Sequence, residues 1–275
     1  METYMERWYN AAEQRASVRE FDSTLDRERF YSLKAFINSN LSVEKARLIL
    51  LAKNGILKSL ILPYGKISGT NCFAAVIADK DNKFMAGYLG EALVLECTAR
   101  GYGTCWLGAS YNKRAVNNII NLASNEVLCG IIAIGMKETA VKQAKKKSIA
   151  KLTGLDAESF LKLPVWQQSA VKCARIAPSA LNKQPWELEF NSDSIGIIAN
   201  SYNFGFSEID KGIAMLHIEL GAADKCVYGE WRPDGEMQKF YKTEEKNRDE
   251  LNIENKSEDY DPINTIYETS SESEE

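Results

Sequence analysis

Apolar and polar positions alternate with two different periods along this chain. Thr3 to about Gln14 has helical spacing, which "RASVREFDS" interrupts. "STLDRERFYSLKAFINS" resumes it, with Leu25, Phe30, Leu33 and Phe36 three to five residues apart. "SVEKARLILLAK" reads as a further helix, and "CFAAVIADK" as a short apolar strand. "YLGEALVLECTARGYG" is a strongly apolar helix, stopped by Gly101 and Gly103. "TCWLGAS" follows as a short strand, "NKRAVNNIINLA" as a helix and "VLCGIIAIGMKE" as a buried strand.

The same order then recurs. "GLDAESFLKLPVWQQSAVKCARIA" is helical, and "WELEFNSDSIGIIAN" is a strand, a turn at Asn191 to Ser194 and a strand. "IDKGIAMLHIELGAADKC" is again an apolar helix, with "VYGEW" just after it. Laying Gly90-x-Ala92 on Gly212-x-Ala214 gives an offset of 122 residues, which carries Trp106 onto Tyr228. Identity between the two stretches is low. Apolar helices of similar length align readily, so the pattern alone leaves duplication and coincidence both open.

Composition narrows the class. A chain of 275 residues, 45% hydrophobic, can bury a sizeable core as one large domain or two modest ones. No apolar run reaches 18 residues, so no transmembrane helix is expected. The opening residues lack the pattern of a signal peptide, and a cytoplasmic location is expected. Charge is unevenly spread within the net −4. Residues 243–275 hold twelve acids and three bases, and read as a solvated, disordered tail. Residues 1–242 hold 31 bases and 26 acids, a mild excess that suits an anionic small molecule better than nucleic acid. The six cysteines are well separated and there is one histidine, which argues against a zinc site and a disulfide framework. The cysteines read as buried thiols, and His217, within "GIAMLHIELGA", as a helix-packing residue.

Four stretches offer chemistry. In "RASVREF", Arg15, Ser17 and Arg19 recur with period two; in extended backbone they would share one side as a phosphate clamp. Alone, the pattern is weak and a solvated basic turn capping a helix fits it better. In "CARIAPSALNKQPWELEF", Pro178 restricts the backbone, Ser179 and Asn182 favour a turn, and Gln184 adds an amide able to read the edge of a heterocycle. A plain helix-to-strand connection would look similar. "GYGTCWLG" could present backbone amides to a ring, or merely end a helix and start a core strand. In "KQAKKKSIAKL", Lys145, Lys146 and Lys147 form a solvated turn, or one or two of them complete a phosphate site. The dinucleotide-binding, P-loop and nucleophile-elbow motifs are missing, and no carboxylate pair stands out for acid–base work.

Together these residues resemble the nitroreductase-like family of FMN-dependent oxidoreductases. R-x-S-x-R near the start, P-S-x-x-N-x-Q-P-W before a strand, and an apolar helix ending in G-x-G-x-C-W-x-G carry the resemblance, over about residues 10–240. It implies an α+β fold, with mostly antiparallel sheets flanked by helices. Family members are usually homodimers, with FMN sites built from both subunits. Here the Pro-Ser turn comes roughly 160 residues after the Arg/Ser segment, with the apolar helix between them. Before "CFAAVIADK" the chain reads "LPYGKISGTN", without the turn motif.

The resemblance is therefore to the internally duplicated branch, a fused pseudo-dimer of two pseudo-symmetric halves. It implies one half at 1–153 with the phosphate clamp, a second at 154–242 with the flavin-ring turn, and a tail at 243–275. It further implies one FMN per chain, NADH or NADPH as reductant, a nitroaromatic or quinone acceptor, and a monomer in solution. No partner nucleic acid, membrane or metal is expected. No side chain is assigned a catalytic role, because the flavin carries the chemistry. The residues implied to hold it are Arg15, Ser17, Arg19, Lys145 and Lys147 at the phosphate. Pro178, Ser179, Asn182 and Gln184 fall at the ring, with Trp106, Leu107 and Gly108 near its N5. A flavin store or sensor without turnover, and a degenerate structural protein, are the other classes left open.

Overall fold

The computed structural model describes residues 4–57, 66–139, 141–199 and 202–243. The expected acidic tail, beyond Thr243, lies outside them. In chain order the elements begin with α1 (Tyr4–Gln14), α2 (Arg27–Asn40), β1 (Ala46–Ala52) and β2 (Cys72–Asp79). The order continues with α3 (Lys83–Ala99), β3 (Tyr102–Leu107), α4 (Lys113–Asn117) and β4 (Glu126–Met136). Three helices follow, α5 (Ile149–Thr153), α6 (Ala157–Lys162) and α7 (Val165–Ile176), then the strands β5 (Trp186–Asn191) and β6 (Ser194–Ala199). The last elements are α8 (Ser207–Ala223), β7 (Gly229–Asp234) and β8 (Met237–Lys242).

Two four-stranded antiparallel sheets result, ordered β1-β2-β4-β3 and β5-β6-β8-β7. Taken as the first to fourth strand of each group, the two orders are the same. The first sheet is covered on both faces. Along β2, Cys72, Ala74 and Val76 enter one hydrophobic cluster while Phe73, Ala75 and Ile77 enter another. That is why "CFAAVIAD" is continuously apolar. The second sheet is covered on one face, so "WELEF" alternates Trp186, Leu188 and Phe190 inward with Glu187 and Glu189 outward.

Between the sheets' cores lie α3 and α8, each 17 residues long. They cross backbone to backbone. A Cβ on Gly87 would fall 1.9 Å from the Ile209 carbonyl oxygen, and one on Gly212 would fall 1.7 Å from that of Phe84. Only glycine permits that approach. The two contacts are reciprocal under an offset of 125 residues, which carries Phe84 to Ile209 and Gly87 to Gly212. This differs by three residues from the offset of 122 that Gly90 suggested, which is the spacing between the starts of β2 and β6. The new offset lays Trp106 on Trp231 rather than Tyr228.

Other expectations change too. "ARLILLA" is strand β1, not helix: a continuous apolar run has no period to separate the two, and pairing with the fully buried β2 decides it. Counted by strands, the segment matching the Pro-Ser turn is thus the one before β1, not "LPYGKISGTN", part of which lies outside the described residues. The helix expected over "NKRAVNNIINLA" shrinks to α4, whose N-cap is Asn112 and which stops at Asn117. "VYGEW" runs into a hairpin, β7–β8, which turns at Gly235 with φ of 61°. Among the described residues, no helix is long and apolar enough to cross a membrane.

Candidate functional site

The clamp segment starts as helix. The Arg15 amide still donates to Ala11 O (2.9 Å), so Arg15 completes the last turn of α1 and its side chain is buried, 6% exposed. Extended backbone begins only afterwards, where Val18 N donates to Thr104 O (2.8 Å) beside β3. Val18 is buried there, and Ser17 and Arg19 face out. The expected one-sided trio is therefore split: Ser17 and Arg19 share a side, while helical backbone turns Arg15 inward. The charges of both arginines are still felt at buried Cys105.

The Pro-Ser turn is strained and tightly held. Leu181, Asn182 and Gln184 have φ of 52°, 56° and 47°, a region that costs on the order of 1–2 kcal/mol per non-glycine residue. Ser179 Oγ accepts from Gln184 N (2.8 Å). From α8, Asp210 Oδ1 accepts from Ala180 N (2.9 Å). Asn203 Nδ2 donates to Ala180 O (3.0 Å) and to Asp210 Oδ2 (2.8 Å). Burial raises the Asp210 carboxyl to about 6 despite those two donors.

The lysine segment docks on this turn. Lys146 Nζ donates to Ala177 O (2.8 Å) and Asn182 Oδ1 (2.9 Å), and Asn182 Nδ2 donates to Lys145 O (2.7 Å). Gln184 is buried and spends its amide inside the protein, accepting from Lys147 N (2.8 Å) and donating to Arg175 O (2.9 Å). Lys147 Nζ is taken up by Gln184 O (2.9 Å), and Lys145 is exposed. Gln184 and Lys147 thus brace the turn here. Asn182 keeps one further N–H, and Ser179 its hydroxyl proton.

The lysine that comes inward is Lys146. Burial first, and the Arg15 charge second, push it down to about 8, against an opposing pull from Glu91. Segments 31 to 36 residues apart, and a clamp further upstream still, thus converge on one cationic spot.

At the end of β3, Trp106 Nε1 donates to Glu91 Oε2 (2.9 Å). Glu91 is fully buried in α3, and its Oε1 lies 3.0 Å from His217 Nε2 of α8. The same oxygen is 4.0 Å from Arg15 Nε, which is buried and without a hydrogen-bond partner. Leu107 is buried in register with Ile131. Gly108 is exposed, and a Cβ on it would fall 2.4 Å from the Phe206 ring, so the residues leading into α8 seat against it. Pro178 is buried beside the turn.

Four residues were missed from sequence, Glu91, His217, Asp210 and Asn203, and Lys146 was named with its two neighbours but not singled out. Glu91 and His217 had a visible signal, being ionisable residues inside otherwise apolar helices. Five of the six cysteines are buried and Cys226 is exposed; none forms a disulfide among the described residues. Among the described residues, no cluster of three or more His, Cys, Asp or Glu side chains is arranged to hold a metal ion.

This fold, two antiparallel sheets flanked by helices, is that of the nitroreductases. Residues 7–222 match the family described as "Putative TM nitroreductase", and the chain belongs to that family. A solved structure from Thermotoga maritima, described as a "putative nitroreductase", is 24% identical, with a TM-score of 0.61 over 85% of this chain and 93% of its own. A Bacteroides thetaiotaomicron structure, described as a "Putative NADH dehydrogenase/NAD(P)H nitroreductase", is 18% identical, with a TM-score of 0.42 over 52% of this chain and 94% of its own. An FMN-dependent nitroreductase from Clostridium difficile is 16% identical, with a TM-score of 0.40 over 54% and 94%. No curated protein matches the chain. Membership of the family gives the chain a general oxidoreductase role.

Proposed function

We propose that the chain binds one FMN and works as an NAD(P)H oxidoreductase on a nitroaromatic, a quinone or a similar acceptor. One observation carries this reading. Arg15, buried with an unbonded Nε, and Lys146, with a depressed pKa, converge beside the Pro-Ser turn. Two cations that repel each other fit a site for an anion both would hold. The donor set therefore suits a flavin phosphate. Arg15 and Lys146 would hold it, with Ser17 and Arg19 at the outer rim. Lys145 and Lys147, which we also assign to this end, would contribute through the loop they brace. Pro178, Ser179 and Asn182 would pack against or bond to the ring, on a turn kept rigid by Gln184, Asp210 and Asn203. Backbone at Trp106, Leu107 and Gly108 would border the ring's reactive edge, where amide donors stabilise negative charge. When bound, flavin supplies hydride chemistry between a reduced nicotinamide and an oxidised acceptor.

We infer also that residues 1–153 and 154–242 are two fused halves acting as a pseudo-dimer in a monomeric chain. The matching sheet orders and the reciprocal glycine crossing at one offset support this. So does the division of the site, with its clamp in one half and its turn in the other.

Arg15→Ala tests the phosphate assignment. It should weaken FMN binding at least tenfold and leave riboflavin binding unchanged, as measured by quenching of flavin fluorescence. Equal FMN affinity in variant and wild type would refute it.

A further inference from the structure

Glu91 sits where the clamp, the ring-side strand and the helix crossing meet, and nothing proposed above uses it. Its two oxygens are committed elsewhere. Oε2 accepts from Trp106 Nε1 at 2.9 Å, and Oε1 lies 3.0 Å from His217 Nε2. His217 is held in turn. Its Nδ1 lies 3.6 Å from Cys173 Sγ and 3.2 Å from Cys173 O. Burial keeps the Cys173 thiol protonated, and that thiol and the Cys173 carbonyl both face Nδ1, which fixes the ring with Nε2 aimed at Glu91. All three side chains are buried.

Arg15 is the remaining neighbour. Its Nε is 4.0 Å from Oε1, near enough for charge compensation and too far for a hydrogen bond. That Nε is buried and unbonded. An arginine beside a free carboxylate would normally close on it as a bidentate pair. Here the pair stays open, with Trp106 on one carboxylate oxygen and His217 on the other.

The second half of the chain offers an internal comparison. Glu219 of α8 accepts from Trp231 Nε1 (3.2 Å) and Tyr88 OH (2.7 Å). Its hydrogen-bond partners are neutral, and burial raises its pKa. The arrangement of tryptophan and buried carboxylate recurs at Glu96, which accepts from Trp8 and pairs directly with Arg7 and Arg100; Glu91 differs in having His217 on one oxygen and its arginine held off at 4.0 Å.

We propose that Glu91 is a placeholder anion for the cofactor phosphate, and that His217 is the positioning residue that keeps it from capturing Arg15. In the free protein Glu91 balances the buried guanidinium. Its tether keeps the arginine's donors available for an incoming phosphate. This rests on the flavin reading above.

The test is a mutant cycle read by FMN and riboflavin affinities. His217→Leu, similar in size and without a donor, releases Oε1, which then pairs with Arg15. FMN binding should weaken about tenfold and riboflavin binding change less than twofold. His217→Gln retains a donor and should stay near wild type. Adding Glu91→Gln to His217→Leu should restore FMN affinity, which loss of packing alone would not do. Glu91→Gln alone should bind FMN as tightly as wild type or a few-fold more tightly, and it decides the matter if the leucine variant does not fold. Glu219→Gln should leave both affinities unchanged. Equal weakening of both ligands by His217→Leu, no rescue in the double variant, or weaker FMN binding by Glu91→Gln alone would each overturn the proposal while the flavin reading stands. A wild-type protein that takes up no FMN overturns both.

Discussion

Gly212→Ala is the sharpest test of how the two long helices meet. The added Cβ would lie 1.7 Å from Phe84 O, 2.6 Å from Phe84 C and 2.9 Å from Tyr88 N. All three are backbone atoms of α3, so no side chain can swing aside. The helices must part by roughly 1.3 Å merely to bring the first contact to 3.0 Å. Overpacking of this kind costs about 1–3 kcal/mol, and a backbone clash belongs at the upper end. Alanine's better helix propensity returns about 1 kcal/mol. The net loss is therefore about 2 kcal/mol, or a fall in Tm of about 4–8 °C for a protein of this size. Thermal and urea unfolding of variant and wild type measure it. Gly87→Ala should behave alike, and the double variant should lose less than the sum, because one parting of the helices relieves both contacts. A Gly212→Ala protein as stable as wild type would mean that the helices do not cross backbone to backbone.

Two further outcomes follow from the site. Lys146 has its pKa lowered to about 8 from the ordinary 10.5. The unfolded chain therefore binds the extra proton between those values, and this group's contribution to stability improves as pH rises across that window. FMN affinity should run the other way, level from about pH 7, where the phosphate is already largely a dianion, to about pH 8, and weakening above that as the ammonium is lost. Riboflavin affinity should show no such slope, and Lys146→Met should abolish it; both are read by titration at stepped pH. Asp210→Asn must face an amide N–H toward either Ala180 N–H or Asn203 Nδ2, and should cost about 1–3 kcal/mol in urea unfolding.

Much of the fold was legible because its signals are local. The long apolar helices, the alternating "WELEF" and the turn at Asn191 to Ser194 all rest on short-range period. "ARLILLA" failed for the opposite reason: its strand state is set by pairing with β2, 20 to 32 residues away. The β7–β8 hairpin carries a local signal too: Asp234 pairs with Met237, so the loop is Gly235-Glu236, with glycine at its first position. At the site, residue types at fixed spacing pointed to Arg15, Ser179 and Asn182, but not to how their donors are spent. Lys146 could not be picked from its neighbours, because three adjacent lysines look alike until the turn docks on one. Gln184 looked like a reader of ligand edges and braces the turn, a distinction that only hydrogen-bond partners 9 and 37 residues away reveal.

The central claim is that one chain, with its clamp in one half and its turn in the other, makes a single flavin site. Isothermal titration of FMN into flavin-free protein, combined with the molar mass in solution, tests it most directly. The account predicts one FMN per chain on a monomer. Two equivalent sites per chain, or no uptake at all, would contradict it.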